Sequence, residues 1–211
     1  PTMIAVIIGV AFVASTLMLM DSIKAATLRT QAAAVGDATA VVTAKEPSKP
    51  ISPTTTDKIA TVPGVISVEQ TRNVLLQRTD NGQAALVNGH LIPTHPHLVK
   101  GRAPATLDEV AVNQSTADNN AAIGSKITVN DPSRDGAKSI TLTVVGVLDP
   151  NSRTTTTPTS PEVYLSAASL ASISGHRGAN TVYVNSDRPA AQIVREASKV
   201  VGTTATVRTA D

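Results

Sequence analysis

Three histidines lie close together in this chain, His90, His95 and His97, and they are its most obvious candidates for chemistry. Imidazole is the commonest metal ligand, and on an extended segment His95 and His97, either side of Pro96, share a face. A zinc or copper site needs three or four ligands in fixed geometry, with partners behind them. The 211 residues contain no cysteine, and no H-E-x-x-H pattern accompanies the histidines. A solvated or packing role in a stiff loop therefore weighs more than a metal or haem contact.

Other reactive patterns are absent or incomplete. Gly124-Ser125-Lys126 has neither the upstream glycine nor the Gly-Lys order of a phosphate cradle, and there is no G-x-S-x-G nucleophile elbow. Asp108 and Glu109 are neighbours that a strand sends to opposite faces, a poor acid/base pair. Arg102, after Gly101, is read as a turn anchor that bonds carbonyl groups, with Asp108 and Glu109 as further partners. Met18 and Met20 are read as lipid-facing or helix-packing residues, with contact to an apolar substrate as the alternative. No catalytic, cofactor-binding or metal residue is expected.

Composition closes further classes. Zero cysteines exclude a disulfide framework, a thiolate zinc site and a cysteine nucleophile. The aromatic residues are Phe12, Tyr164 and Tyr183, too few for a base-stacking or sugar-stacking platform. A net charge of +2 is no polybasic nucleic-acid surface.

The elements that must position these residues begin with an apolar run. Met3–Met20 has about eighteen residues without a charge or proline, the length at which a transmembrane helix is considered. A signal peptide and a buried core helix are the alternatives; the first lacks a basic flank and the second is seldom apolar all round. The Ala-rich stretch Asp21–Gly36 is expected to extend the helix as a stalk.

Beyond it, strands are expected at Ala38–Ala44, Val65–Arg78 and Ala84–Asn88, with a helix at Thr54–Val62 and a tight turn at Asp80-Asn81-Gly82. His90–His97 reads as a loop and Gly101-Arg102 as a turn. Glu109–Asn113, Lys126–Val129 and Ile140–Leu148 read as strands, with a short helix near Ser115–Ala122 and a Thr-rich connector at Asn151–Pro161. The last third alternates: strand Glu162–Leu165, helix Ser166–Ile173, strand Thr181–Asn185, helix Pro189–Val201 and strand Ala205–Thr209. In the final helix Ala190, Ile193, Val194, Ala197 and Val200 share one apolar face.

This order resembles the extracytoplasmic domain of FtsX/MacB-like ABC transporter permeases. Gly9–Val13, Thr16-Leu17 and Asp21-Ser22-Ile23 look like the first membrane helix of actinobacterial members. Thr61-Val62-Pro63-Gly64-Val65 is similar to the family's helix-to-strand turn. Lys100-Gly101-Arg102 followed by Asp108-Glu109-Val110-Ala111-Val112-Asn113 is the most specific match. Ile123-Gly124-Ser125-Lys126-Ile127 has Ser125 where members usually carry Asp. Val144-Val145-Gly146-Val147 and Val163-Tyr164-Leu165-Ser166 match the strands that close the inserted lobe and return to the first.

The resemblance implies an α+β fold: a membrane helix and stalk over residues 1–36, a porter-like lobe from 37–90 and 160–211, and a β-rich, sabre-like insertion at 91–159. It implies a permease fragment on the extracytoplasmic side of the cell membrane, ending just short of a second membrane helix. A separate cytoplasmic ABC ATPase would hydrolyse ATP, and a second permease copy or half would pair with the chain. The cargo would be a lipid, lipoprotein, peptide, antibiotic or haem, or none if the complex regulates a cell-wall hydrolase. The domain itself would be no enzyme, hold no cofactor and bind no nucleic acid. The rival expectation is a membrane- or signal-anchored exterior binding or adhesion module.

Overall fold

The structure, a computed structural model, describes residues 38–80, 84–134, 136, 138–149 and 160–210. The expected membrane helix and stalk, with Phe12, Met18 and Met20, lie outside the described residues, as do Asn81-Gly82 and the Thr154–Thr157 run. Among the described residues no helix is long and apolar enough to cross a membrane.

Two sheets organise these residues. The smaller is antiparallel, in the order β11-β1-β10-β2, and combines β1 (Ala40–Ala44), β2 (Val65–Thr71), β10 (Thr181–Ser186) and β11 (Ala205–Thr209). Strand alternation sends Val42, Val182 and Val184 to one face, where α1 (Pro53–Ala60) and α4 (Ala190–Val201) cover them with Ile59, Ile193 and Val201. In α1, Ser52 caps the first turn by accepting a hydrogen bond from the Thr55 amide at 3.1 Å, and Pro53 takes the first helical position, where its missing N–H costs nothing. In α4 the buried residues are Ile193, Ala197 and Val201, with Val194 and Val200 packed beside them, so the apolar stripe is rotated slightly away from Ala190.

The larger sheet holds seven strands in the order β5-β8-β6-β9-β4-β3-β7, and β7 also pairs with β8, which closes six of them into a ring. These are β3 (Asn73–Arg78), β4 (Ala85–Leu91), β6 (Glu109–Asn113), β7 (Lys126–Asn130), β8 (Ile140–Leu148) and β9 (Glu162–Leu165). The seventh, β5 (Leu98–Gly101), shares one edge of β8 with β7: β7 pairs with its first half and β5 with its end. Closure pairs both sides of the six ring strands and leaves the short β5 as the sheet's edge. Leu76, Val112, Ile127, Leu142, Val144, Val163 and Leu165 fill the interior, joined by Leu170 and Ile173 of α3 (Ala167–Ser174). Each fully buried Leu, Ile or Val side chain contributes about 1.5–3 kcal/mol. The inward set of β8 passes from Leu142 and Val144 to Val147, a change of parity at the register shift that leaves Val145 without an opposite residue on β6. A short helix, α2 (Gln114–Asp118), follows β6 and is capped by Asn113, whose side chain accepts from the Thr116 amide at 3.0 Å.

Several expectations need correction. Val65–Arg78 is two strands in different sheets, divided at Arg72, because the chain leaves one sheet and enters the other there. His90 lies within β4, which runs on to Leu91, since parallel pairing with β9 continues through His90 and Leu91. Lys100 and Gly101 end a strand that periodicity did not reveal. Strands β3, β4 and β9, with α3, join the larger sheet and its core.

Candidate functional site

The three histidines do not form a centre. His95 and His97 are exposed in the loop after β4, whereas His90 is only 6% exposed on β4. Among the described residues no group of three or more His, Cys, Asp or Glu side chains is placed to hold a metal ion.

His90 instead enters a buried polar network with two residues that sequence reasoning had read only as strand positions. Tyr164 stands beside it in parallel register on β9, and the two rings stack with centroids 5.2 Å apart. Glu162 and Tyr164, both fully buried, are two apart on a strand and so share a face, and the Tyr164 hydroxyl donates to Glu162 Oε2 at 2.5 Å. His90 Nε2 lies 3.7 Å from Glu162 Oε1, beyond hydrogen-bond distance, and has no hydrogen-bond partner among the described residues. His90 Nδ1 and Asn73 Oδ1 are hydrogen-bonded at 2.8 Å. Burial lowers the His90 pKa and the Glu162 carboxylate opposes it, leaving the net shift downward, so the imidazole is held neutral near pH 7. A histidine, a carboxylate and a hydroxyl are the ingredients of a nucleophilic triad, but here the hydroxyl is spent on the carboxylate and the whole set is shut from solvent. Its role is that of a buried polar cluster across the β4–β9 pairing, with His90 Nε2 the one of its atoms left without a hydrogen bond among the described residues. The Glu-x-Tyr spacing within an otherwise apolar strand was the readable signal.

Two buried arginines are the other groups that sequence reasoning missed. Arg78, 4% exposed near the short β3–β7 seam, donates Nε and Nη2 to the two carboxylate oxygens of Asp80, each at 2.6 Å. It also reaches the carbonyls of Asn119 at 3.1 Å and Asn120 at 3.2 Å. Desolvation pushes the Asp80 carboxyl up, but the Arg78 bond and charge, together with hydrogen bonds from the Asp80 and Thr128 backbone, outweigh it and the net shift is downward. Arg72, between β2 and β3 and 5% exposed, donates Nη1 to the His176 carbonyl at 2.5 Å and Nη2 to Ser174 Oγ at 2.8 Å. Burial draws its pKa down while Asp131 raises it. A lone Arg in a β-rich stretch carries no local pattern that would mark it as buried.

Arg102 anchors its turn as expected, with Glu109 as the main partner. Its two terminal nitrogens fork onto the two Glu109 oxygens, and Nη1 also donates to the Ala103 carbonyl at 3.2 Å. Glu109 Oε2 accepts from the amides of Ala105 at 2.8 Å and Thr106 at 3.3 Å as well. The Arg102 hydrogen bonds first, then that of the Ala105 amide, hold the Glu109 carboxyl at about 2. Asp108 is engaged separately, accepting from the Thr106 hydroxyl at 2.6 Å. The Gly124 and Ser125 amides donate to the Val144 and Ala122 carbonyls, so neither is free to cradle a phosphate.

The His90, Arg72 and Arg78 clusters are thus turned inward on the fold while the Arg102–Glu109 fork braces an exposed turn, an arrangement suited to holding shape. The family pattern of the MacB-like periplasmic core domain matches residues 2–200. The chain belongs to this family. Two solved structures share the fold. The extracellular domain of the noncanonic ABC-type transporter YknZ from Gram-positive bacteria has a TM-score of 0.59 and 13% identity, over 81% of this chain and 98% of that one. The periplasmic region of MacB from Actinobacillus actinomycetemcomitans has a TM-score of 0.56 and 13% identity, over 85% of this chain and 92% of that one. No curated protein matches the chain in sequence. Within the MacB-like family frame, the residues that carry the sequence resemblance have structural roles: Arg102 and Glu109 form the fork, Val144–Val147 is the bulged segment, and Val163-Tyr164-Leu165-Ser166 ends β9 and caps α3.

Proposed function

We propose that this MacB-like periplasmic core domain is the extracytoplasmic part of an ABC transporter permease of the FtsX/MacB type, of the actinobacterial branch, anchored by a membrane helix at Met3–Met20. The domain is non-catalytic. It carries motion driven by a cytoplasmic ATPase partner to work outside the membrane, in a complex with a second permease copy or half. The smaller sheet with α1 and α4 serves as the porter-like lobe and the closed sheet with α2 and α3 as the sabre-like lobe, which places the lobe boundary at Arg72 and near Asn180. The family match across residues 2–200 carries this reading. Buried arginines that bond to side-chain and backbone oxygens support it, since a transmitting part needs fixed internal geometry more than a reactive pocket.

Sidedness is directly testable because the domain's 211 residues contain no cysteine. A Leu86→Cys variant places one thiol on an exposed position of β4. In intact cells a membrane-impermeant maleimide is expected to label it; labelling that appears only after lysis refutes the extracytoplasmic placement.

A further inference from the structure

The chain passes between the two sheets twice, once at Arg72 and once over Gly175–Asn180. Two short crossings of this kind would ordinarily act as a hinge. Here each is tied to the other. The Arg72 guanidinium, on the first crossing, bonds the His176 carbonyl and the Ser174 hydroxyl at the start of the second. Asn180, at the end of the second, brackets Arg72: its amide donates to the Thr71 carbonyl at 2.9 Å and its side-chain oxygen accepts from the Asn73 amide at 3.0 Å. The Arg72 carbonyl in turn accepts from the Leu91 amide of β4 at 2.9 Å.

Both ends of the second crossing are fixed as well. Ile51 and Ala179 exchange backbone hydrogen bonds of 2.8 and 2.9 Å, pinning it to the segment that leads into α1. Arg134, from the β7–β8 turn, donates to the Ile173 carbonyl at 2.8 Å at the C-terminal end of α3, where a cation also meets the helix dipole. A third link runs through the loop after β4, whose Thr94 amide donates to Glu69 of β2 at 3.1 Å.

We infer that Arg72 and Asn180 lock the two crossings into one rigid joint, making Arg72 a positioning residue that holds the two sheets as a single body. Arginine suits this place because its planar fork reaches two acceptors at once, which a lysine ammonium cannot reproduce with the same geometry. The usefulness of such a body for transmitting force rests on the proposed transporter reading; the rigidity itself does not.

The test uses the full chain in detergent micelles with spin labels on Leu86→Cys in β4 and Ala191→Cys in α4, one on each sheet's assembly. Pulsed electron-electron resonance is expected to give one narrow distance distribution with the joint intact. Arg72→Met combined with Asn180→Ala is expected to lose that narrow distribution while the far-ultraviolet circular dichroism stays unchanged, and Arg72→Lys to broaden it in part. A broad distribution with the joint intact overturns the inference, whatever the variants do. A narrow distribution retained in the folded double variant overturns it too. If the double variant unfolds, Arg72→Lys decides, and an unaltered distribution there counts against the joint. The readout needs neither ATPase nor cargo, so a negative result speaks against the joint and leaves the transporter reading standing.

Discussion

Removing the guanidinium at position 78 should open the closed sheet at its weakest seam. The β3–β7 pairing that completes the ring involves only Gln77 with Asn130 and Arg78 with Val129. Arg78 reinforces it with four hydrogen bonds, two to the Asp80 carboxylate and two to the carbonyls of Asn119 and Asn120. Removing one partner of a buried ion pair costs about 3–5 kcal/mol. The Asp80 side chain keeps 15% of its surface exposed, so water relieves part of the loss and sets the expectation for Arg78→Met near about 3 kcal/mol. At about 2–4 °C per kcal/mol for a domain of this size, the melting temperature should fall by about 6–12 °C. The variant is then left with a large part of its stability gone, since domains are stable by only about 5–15 kcal/mol in total.

The pH dependence supplies a second, independent readout. The folded-state pKa of Asp80 lies below its ordinary value of 3.8, so the contribution of the pair is fully present above 3.8 and is lost as pH falls through the lower folded value. The stability gap between the native protein and Arg78→Met should therefore narrow as the Asp80 carboxyl is protonated at low pH. Urea unfolding followed by circular dichroism across that range measures both effects. A loss under about 1 kcal/mol at neutral pH, the worth of one ordinary hydrogen bond, would refute the assignment of Arg78 as the seam's main fastening.

Arg102→Met should release the Glu109 carboxyl from about 2 upward toward its ordinary 4.5; in the native protein the stabilisation it supplies is present above 4.5 and disappears as pH falls to about 2. Carboxyl carbon shifts followed by NMR titration read this directly, and an unmoved midpoint in the variant would be incompatible with the fork. Tyr164→Phe, which keeps the ring stacked on His90 but removes the hydroxyl donor to Glu162, should cost about 1.5–3 kcal/mol because the acceptor is a buried carboxyl group. Chemical unfolding checks it, and a change under about 0.5 kcal/mol, the range of ordinary surface substitutions, counts against a fastening role for that bond. Gly178→Ala should destabilise strongly: with φ at +120° the residue is in a region that side chains avoid, and an added Cβ would lie 2.1 Å from the Ile51 carbonyl oxygen. A melting temperature equal to that of the native protein would contradict the close approach.

Much of the local structure was readable because the apolar periods are clean. Glu109–Asn113, Ile140–Leu148, Glu162–Leu165 and Ala205–Thr209 fall where alternation or a short apolar run between turn residues places them. What periodicity cannot register is a change of sheet without a turn. Val65–Arg78 looks like one long strand because its residues have strand character on both sides of Arg72; the break is set by tertiary bonds from Ser174, His176 and Asn180, about a hundred positions further on. The same limit hid His90. Flanking prolines and histidines gave it a loop context, while the long-range partner that holds it in a strand, β9, carries no local trace. Arg102 was legible because Gly101 before it and Glu109 after it make a local constellation. Arg72 and Arg78 were not, since their acceptors include backbone carbonyls that no residue type announces.

The central claim is that this domain works in a membrane complex powered by ATP hydrolysis elsewhere. The most direct measurement is ATPase activity of the native protein purified in mild detergent from its own membranes. The account predicts a co-purifying subunit with a phosphate-cradling G-x-x-x-x-G-K-[ST] motif, and ATP hydrolysis that is lost when that subunit's motif lysine is replaced. Native protein that purifies without such a subunit and without ATP hydrolysis, while retaining its fold, would contradict it.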